Sequence, residues 1–497
     1  MNIILGPPGT GKTSTLLSLV EEYIDKGISP NKIGYFAFTN RAANEAKERA
    51  YEKFKLSSDE LPYFRTLHSL AFQQLGLSRS QVLNEDLRKE FGNLMGLQIS
   101  GKAFLEEGGL NLSKKGDQIL GLIEIARVKG ISSRKQWLYD NLDIGWFEIE
   151  RAERGLAEFK KARCLYDFTD MLSMFISEKA APQLDIVFVD EAQDLSFLQW
   201  QMVYQLLDKS EDIFIAGDDD QAIFRWAGAD VNHFLSLKGQ VKVLDQSHRV
   251  PQHAHYLADS LVRRVSKRRP KFWKPRSYAG KLYWHSDIEH IDMKQGEWLI
   301  LARNNYLLNQ VESQCRLEGF FYKRNNRKGV TDSLLEAILN WERLRKGKGV
   351  IASEVRKIYR YMSSNKGVAK SFKTLKNIFE DEILTLKDLL ASYGLLTTAI
   401  WHEAFDRISD KERQYLIACL RGGEKLTKEP RINISTIHGA KGSEANNVVV
   451  ITDIGQKSWI QMQKEPDDEI RVFYVALTRV KENLHIVQPI TSRYFSL

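Results

Sequence analysis

The opening stretch MNIILGPPGTGKTSTLL, residues 1–17, decides the fold: an apolar run passes into a glycine-rich loop and then into a segment of helical apolar spacing. Residues 6–13, GPPGTGKT, fit the pattern G-x-x-x-x-G-K-[ST]. In such a loop the glycines let backbone N–H groups turn toward phosphate, Lys12 reaches the β and γ phosphates, and the Thr13 hydroxyl holds Mg²⁺. Gly6, Pro7, Gly9, Thr10, Gly11, Lys12, Thr13 and Ser14 are therefore the candidate nucleotide contacts. An ordinary glycine-rich turn is the competing reading, and the strand–loop–helix context argues against it.

A phosphate loop needs a carboxylate partner. DIVFVDEAQD, residues 185–194, supplies one at the end of a second apolar run. Asp190 is placed to hold the metal through water, and Glu191 to activate the attacking water. Further along, GDDDQAIFRW, residues 217–226, follows another strand-like run. Gln221 is a neutral polar group able to feel a γ-phosphate. Phe224 and Trp226, close beside it, are able to stack on bases, a contact that tolerates any sequence.

Short β-branched or aromatic runs recur between helical stretches, as NIIL, IGYFAF from Ile33, IVFV from Ile186 and IFIAG from Ile213. Such alternation predicts buried parallel strands. A second set begins with VKVL from Val241 and continues with WLILAR from Trp298, INIST from Ile432, NVVVI from Asn447 and NLHIV from Asn483. Between the strand sets lie two tracts poor in strand signals, which read as helical insertions. The expected organisation is a first α/β lobe over 1–72 and 165–245 with an insertion at 73–164. The second lobe spans 246–320 and 431–497, with an insertion at 321–430.

The chain of 497 residues carries 72 Lys and Arg against 64 Asp and Glu, a formal charge of +8. That excess fits a polyanionic partner without requiring one. Eight basic residues and no acid crowd RRVSKRRPKFWKPR, residues 263–276, which reads either as a solvated charge run or as a phosphate contact. Cys164, Cys315 and Cys419 form no CxxC pair, which argues against a disulfide framework and a zinc site. No apolar run reaches the ~18 residues that span a bilayer, and the first five residues are too short for a signal peptide core. The expectation is a cytoplasmic protein with no membrane partner.

Taken in order, these motifs resemble those of the UvrD/Rep/PcrA-like superfamily 1 DNA helicases. FTNRAANEAKERA from Phe38, RTLHSLAF from Arg65, YDFTDML from Tyr166, LDQSHRV from Leu244, STIHGAKGSE from Ser435 and VFYVALTR from Val472 complete the set. The resemblance implies two RecA-like P-loop NTPase lobes with parallel sheets, ATP and Mg²⁺ as cofactors, and single-stranded and partial-duplex DNA as partners. It implies that Arg249 and Arg479 stabilise transferred phosphate, that Glu444 contacts ribose, and that Phe38, Asn40, His68, Arg303 and His438 line the DNA groove with Phe224 and Trp226. His248 stands where relatives place a tyrosine against adenine, and no adenine-reading glutamine segment precedes Gly6. Only about 18 residues follow Arg479, so the expectation is a compact motor without a nuclease or partner-binding tail.

The expected activity is ATP-dependent translocation on single-stranded DNA, 3′ to 5′, with duplex unwinding, driven by Lys12, Glu191, Gln221, Arg249 and Arg479. Two readings compete with it: a translocase that strips proteins from single strands without unwinding, and an ATP-gated nucleic-acid-binding module. RNA as substrate also stays open, because stacking and phosphate contacts read both polymers.

Overall fold

The computed structural model describes residues 1–56, 59–101, 114–376 and 378–497, the side chain of Arg41 excepted. Its first sheet contains β1 (Asn2–Leu5), β2 (Ile33–Ala37), β3 (Phe64–Thr66), β4 (Ile186–Asp190), β5 (Asp212–Gly217) and β6 (Gln240–Val243), in the order β3-β2-β4-β5-β1-β6. Every pairing is parallel. β2 and β4 are buried along their whole length, which is why they read as unbroken apolar runs and not as alternating ones. The register sets Leu5 beside Gly217, so the loop after β1 emerges next to the end of β5. Ligand clefts in open parallel sheets form at these carboxyl ends.

The run from Val241, grouped by its sequence with the second strand set, pairs instead with β1 and closes the edge of the first sheet. As an edge strand it has one neighbour, and Val241 stays exposed. The chain thus completes one sheet before it crosses to the next.

The second sheet is built from β7 (Lys281–His285), β8 (Trp298–Ala302), β9 (Tyr322–Arg324) and β10 (Arg327–Lys328). A separate two-stranded pair, β11 (Val350–Ile351) and β12 (Ile383–Leu384), precedes its last three members, β13 (Ile432–Thr436), β14 (Ala445–Ile451) and β15 (Val480–Val487). Their order is β10-β9-β13-β8-β14-β15-β7. All neighbours are parallel except the β9–β10 hairpin, whose turn residues Asn325 and Asn326 both take positive φ. That hairpin lies inside the tract read as helical from residue 321, yet it extends the sheet.

The remainder of that tract is mainly helical, with its longest helices at Asp332–Arg345 and Asp410–Arg421. Within 73–164 the helices Glu85–Met95, Lys115–Val128, Ser133–Asp140 and Trp146–Ala162 pack around their own core of Phe91, Ile119, Ile123, Ile149 and Phe159. Residues 102–113 of this tract lie outside the described residues.

Candidate active site

The loop after β1 is held by its own backbone. Gly6 N–H donates to the Gly217 carbonyl at 3.0 Å, and the Thr10 hydroxyl donates to the Pro7 carbonyl at 2.8 Å. Gly11, at φ 80°, starts the helix Lys12–Asp25. Lys12 folds back over the loop and donates to the Gly6 carbonyl at 2.7 Å. A Cβ on Gly6 would stand 1.9 Å from Lys12 Cγ, so glycine is required for that lysine to lie there. Ser14 is exposed on the first turn.

Across the loop, the Thr13 hydroxyl donates to Asp190 Oδ2 at 2.8 Å, and the buried Tyr35 hydroxyl donates to the same oxygen at 2.8 Å. Burial and the neighbouring Glu191 raise the Asp190 pKa above the usual carboxylate range. Glu191 sits 3.9 Å from Lys12 and 3.7 Å from Lys441. Burial alone would raise its pKa, but these two ammonium groups pull it down to about 2. It is an ionised carboxylate at neutral pH. Thr13 and Asp190 present hard oxygen donors side by side, which suits Mg²⁺, an ion that keeps several waters and is bound by one or two carboxylates plus phosphate.

The second lobe closes on this surface. Ser247 donates through its hydroxyl to the Pro8 carbonyl at 2.8 Å, and His248 N–H donates to the Gly9 carbonyl at 2.9 Å. A Cβ on Gly9 would meet Arg249 Cβ at 2.5 Å, so this glycine, at φ 73°, permits the lobes to touch. The His248 ring itself is exposed.

Arg479 is 3% exposed and, among the described residues, its side chain donates to neutral oxygens, Val475 O at 3.1 Å and Gln221 Oε1 at 3.0 Å. Burial first, and then the nearby charge of Arg249, lowers its pKa to about 9. Arg249 is paired with Glu444, which Lys481 also contacts at 2.7 Å, and the Arg249 Nε is buried without a hydrogen-bond partner. Arg479, buried with neutral oxygens for partners, and Arg249, half-buried with one carboxylate beside it and its Nε unpartnered among the described residues, are guanidiniums that a polyphosphate would satisfy.

Beside this cleft runs an aromatic group. Phe224 lies 5.3 Å from Phe38, 6.2 Å from Trp226 and 6.1 Å from His438, and Trp226 lies 5.9 Å from His438. Lys441 sits 5.2 Å over the Phe224 ring, donates to the Gln221 carbonyl at 2.9 Å and pairs with Asp194. One side chain therefore touches both the nucleotide face and the aromatic path. Arg303 is buried against Glu469 at 2.6 Å, with its Nη1 unpartnered among the described residues. Burial pushes the His438 pKa well below its ordinary value, so this imidazole is neutral. Asn40 is exposed, with its Oδ1 3.5 Å from the Thr66 hydroxyl. His68 stands apart from the aromatic group, edge-on to Phe168 at 5.8 Å, and burial takes its pKa down to about 4.

The basic stretch 263–276 fits neither sequence reading at its centre. The Lys271 side chain is fully buried among Asp218, Asp219 and Asp220 at 2.9, 2.6 and 2.9 Å. Arg268 donates to Asp220 at 2.9 Å, and Arg269 donates to the carbonyls of Phe234, Leu235 and Leu237. These cations are used up inside the protein, and Trp273 is buried, while Phe272 and Arg263 remain outside.

Comparison with known proteins agrees with this arrangement. Residues 1–242 match the UvrD/REP helicase N-terminal domain, and residues 403–489 match the UvrD-like helicase C-terminal domain. The chain belongs to the UvrD-like helicase family. It is 25% identical to the ATP-dependent DNA helicase PcrA of Bacillus subtilis, over 82% of this chain and 57% of that protein. It is 24% identical to the "Probable DNA helicase II homolog" of Mycoplasma pneumoniae, over 98% of this chain and 82% of that protein. With PcrA of Staphylococcus aureus strain COL it shares 22% identity over 99% of this chain and 81% of the relative. The two lobes with their parallel sheets are thus the RecA-like lobes of a UvrD-like helicase.

Several residues of the site carry no mark in the sequence. Tyr35 looks like one more aromatic of a buried strand, and its hydroxyl is the only sign that it needs a polar partner. Gln193, which donates to Glu191 at 2.5 Å and accepts from Asp218 N–H at 3.0 Å, sits inside the DEAQD run but names no chemistry by itself. Thr39, Thr66, Asp167 and Ser196 cap helices, so part of what makes those motifs recur in one order is helix initiation.

Proposed function

We propose that this UvrD-like helicase hydrolyses ATP with Mg²⁺ between its lobes and uses the cycle to translocate 3′ to 5′ on single-stranded DNA, opening duplex ahead of it. The observation that carries the reading is Arg479: a buried guanidinium from the second lobe, short of negative charge, bonded to Gln221 of the first. In this reading the units are 1–72 with 165–245 and 246–320 with 431–497, each bearing its insertion. The protein acts in the cytoplasm on single-stranded and partial-duplex DNA.

Lys12, the loop amides and Ser14 hold the triphosphate, while His248 and Glu444 meet base and ribose. Thr13 and Asp190 would hold Mg²⁺, which when bound neutralises charge on the phosphates. Glu191, ionised between two lysines, takes a proton from the attacking water. Arg249 and Arg479 meet charge as it spreads on the transferred phosphoryl group, an interaction worth ~10³–10⁵ in rate. Gln221 feels the change through Arg479 and passes it to Phe224 and Trp226, four residues on average from it along the same segment. Phe38, His438, Arg303, Asn40 and His68 complete the strand's path, and alternate gripping by the two lobes turns hydrolysis into steps.

The test is ATP hydrolysis without nucleic acid, with single-stranded DNA and with single-stranded RNA, at several salt concentrations. Stimulation by DNA that fades with salt is the expected result. Equal, unstimulated hydrolysis in all three would overturn the motor.

A further inference from the structure

Gln221 must present its amide one way round. A carboxylate only accepts and a guanidinium only donates, so Asp218 fixes the amide nitrogen and Arg479 the amide oxygen. Gln221 Nε2 donates to Asp218 Oδ2 at 2.7 Å, and Gln221 Oε1 accepts from Arg479 at 3.0 Å. The next link lies in the basic stretch 263–276. The other oxygen of Asp218, Oδ1, faces Lys271 Nζ at 2.9 Å, and neither side chain has any exposed surface.

From this chain of contacts we infer that Lys271 is a positioning residue for Gln221, coupling the basic strap 266–274 to nucleotide sensing. The inference rests on the proposed motor function. The strap is tied to both lobes. Arg269 caps the end of the first-lobe helix Val231–Ser236 through three carbonyls. Arg471, on the helix Pro466–Leu477 that leads to Arg479, donates to Lys267 O at 2.7 Å and to Asp219 O at 2.9 Å. Lys271 therefore reaches Asp218 from a segment whose position reports where the arginine helix stands. Burial by itself would raise the pKa of Asp218; the Lys271 ammonium holds it below the usual range, so the acceptor that orients Gln221 is ionised.

A purely structural role is the alternative, since three adjacent buried carboxylates need counter-charge whatever Gln221 does. Two variants separate the roles. Lys271→Met removes the anchor and unbalances the charge. Lys271→Met with Asp219→Asn restores the balance of charge but takes Lys271 from Asp218, whose Oδ1 keeps the Asp220 N–H at 3.2 Å. The inference expects the double variant to recover thermal stability while its DNA-stimulated kcat stays lower by about tenfold or more, the scale of one hydrogen bond to a charged group. Its KM for ATP should stay within about twofold, the signature of an interaction needed in the transition state and not for binding. A double variant that regains wild-type kcat along with stability would overturn the positioning role alone. A wild-type enzyme whose hydrolysis ignores DNA would overturn the motor reading and this inference with it.

Discussion

Two acidic clusters stand at the ends of neighbouring strands, and they have opposite fates. Asp190 ends β4 and Glu191 follows it; Asp218, Asp219 and Asp220 follow β5. In sequence each is a carboxylate run after an apolar strand. In the fold the second is largely offset from within, by Lys271 against all three carboxylates and Arg268 against Asp220. Asp190 is met instead by two hydroxyls, from Thr13 and Tyr35, and its pKa is raised by burial and Glu191. Asp218–Asp220, met by buried cations, serve the structure, whereas Asp190, held by neutral donors, still calls for a cation.

Arg479 stands between the clusters, bonded to Gln221 of one and within electrostatic reach of Glu191 of the other. Arg479→Ala is expected to have the largest effect, a fall of ~10³-fold or more in kcat with ATP binding retained, read by steady-state hydrolysis and nucleotide titration. Glu191→Gln should lower kcat by ~10²–10⁴-fold, the usual yield of a general base. The matched change in the other cluster, Asp220→Asn, should act mainly on thermal stability. Equal catalytic losses in both would break the distinction drawn here.

Trp226→Ala sharpens the contrast on the DNA side. Loss of one stacking partner should weaken single-stranded DNA binding by ~1–3 kcal/mol in a fluorescence titration while leaving the KM for ATP in place. An unchanged DNA affinity would move Trp226 to a purely packing role against His438.

β2 and β4 of the first lobe were legible because they are buried on both faces and rich in β-branched and aromatic residues. The phosphate loop was legible because its glycines are a local necessity. The run at Val241 was grouped with the second strand set although the lobe bounds 165–245 kept it in the first, since an apolar tetrapeptide says nothing of its neighbour. β3, β7 and β9 gave too little pattern to be read at all, being short or lying at or near a sheet edge. The basic stretch around Lys271 misled for a related reason: a charge run names its partner only when the fold brings one to it, and Asp218–Asp220 lie about 50 residues away in the chain. The ionic bridge from Lys441 to Asp194 was invisible for the same reason.

That bridge offers the smallest effect and the finest test of how incompletely the first cluster is neutralised. Asp194 is 1% exposed, and burial raises its pKa to about 7 despite Lys441, with Glu191 adding to the rise. Between the ordinary carboxylate pKa and about 7, the native protein holds a proton on Asp194 that the unfolded chain has released. More protons bound in the native state means stability falls as pH rises through that window, and this contribution levels off above it. Asp194→Asn removes the titrating group, so the variant should lose less stability than wild type between about pH 5 and about pH 8 in thermal melts. A wild-type and variant pair with parallel pH profiles would mean that Lys441 already keeps Asp194 ionised throughout. The first cluster would then be as fully matched as the second, and the contrast between them would rest on Asp190 alone.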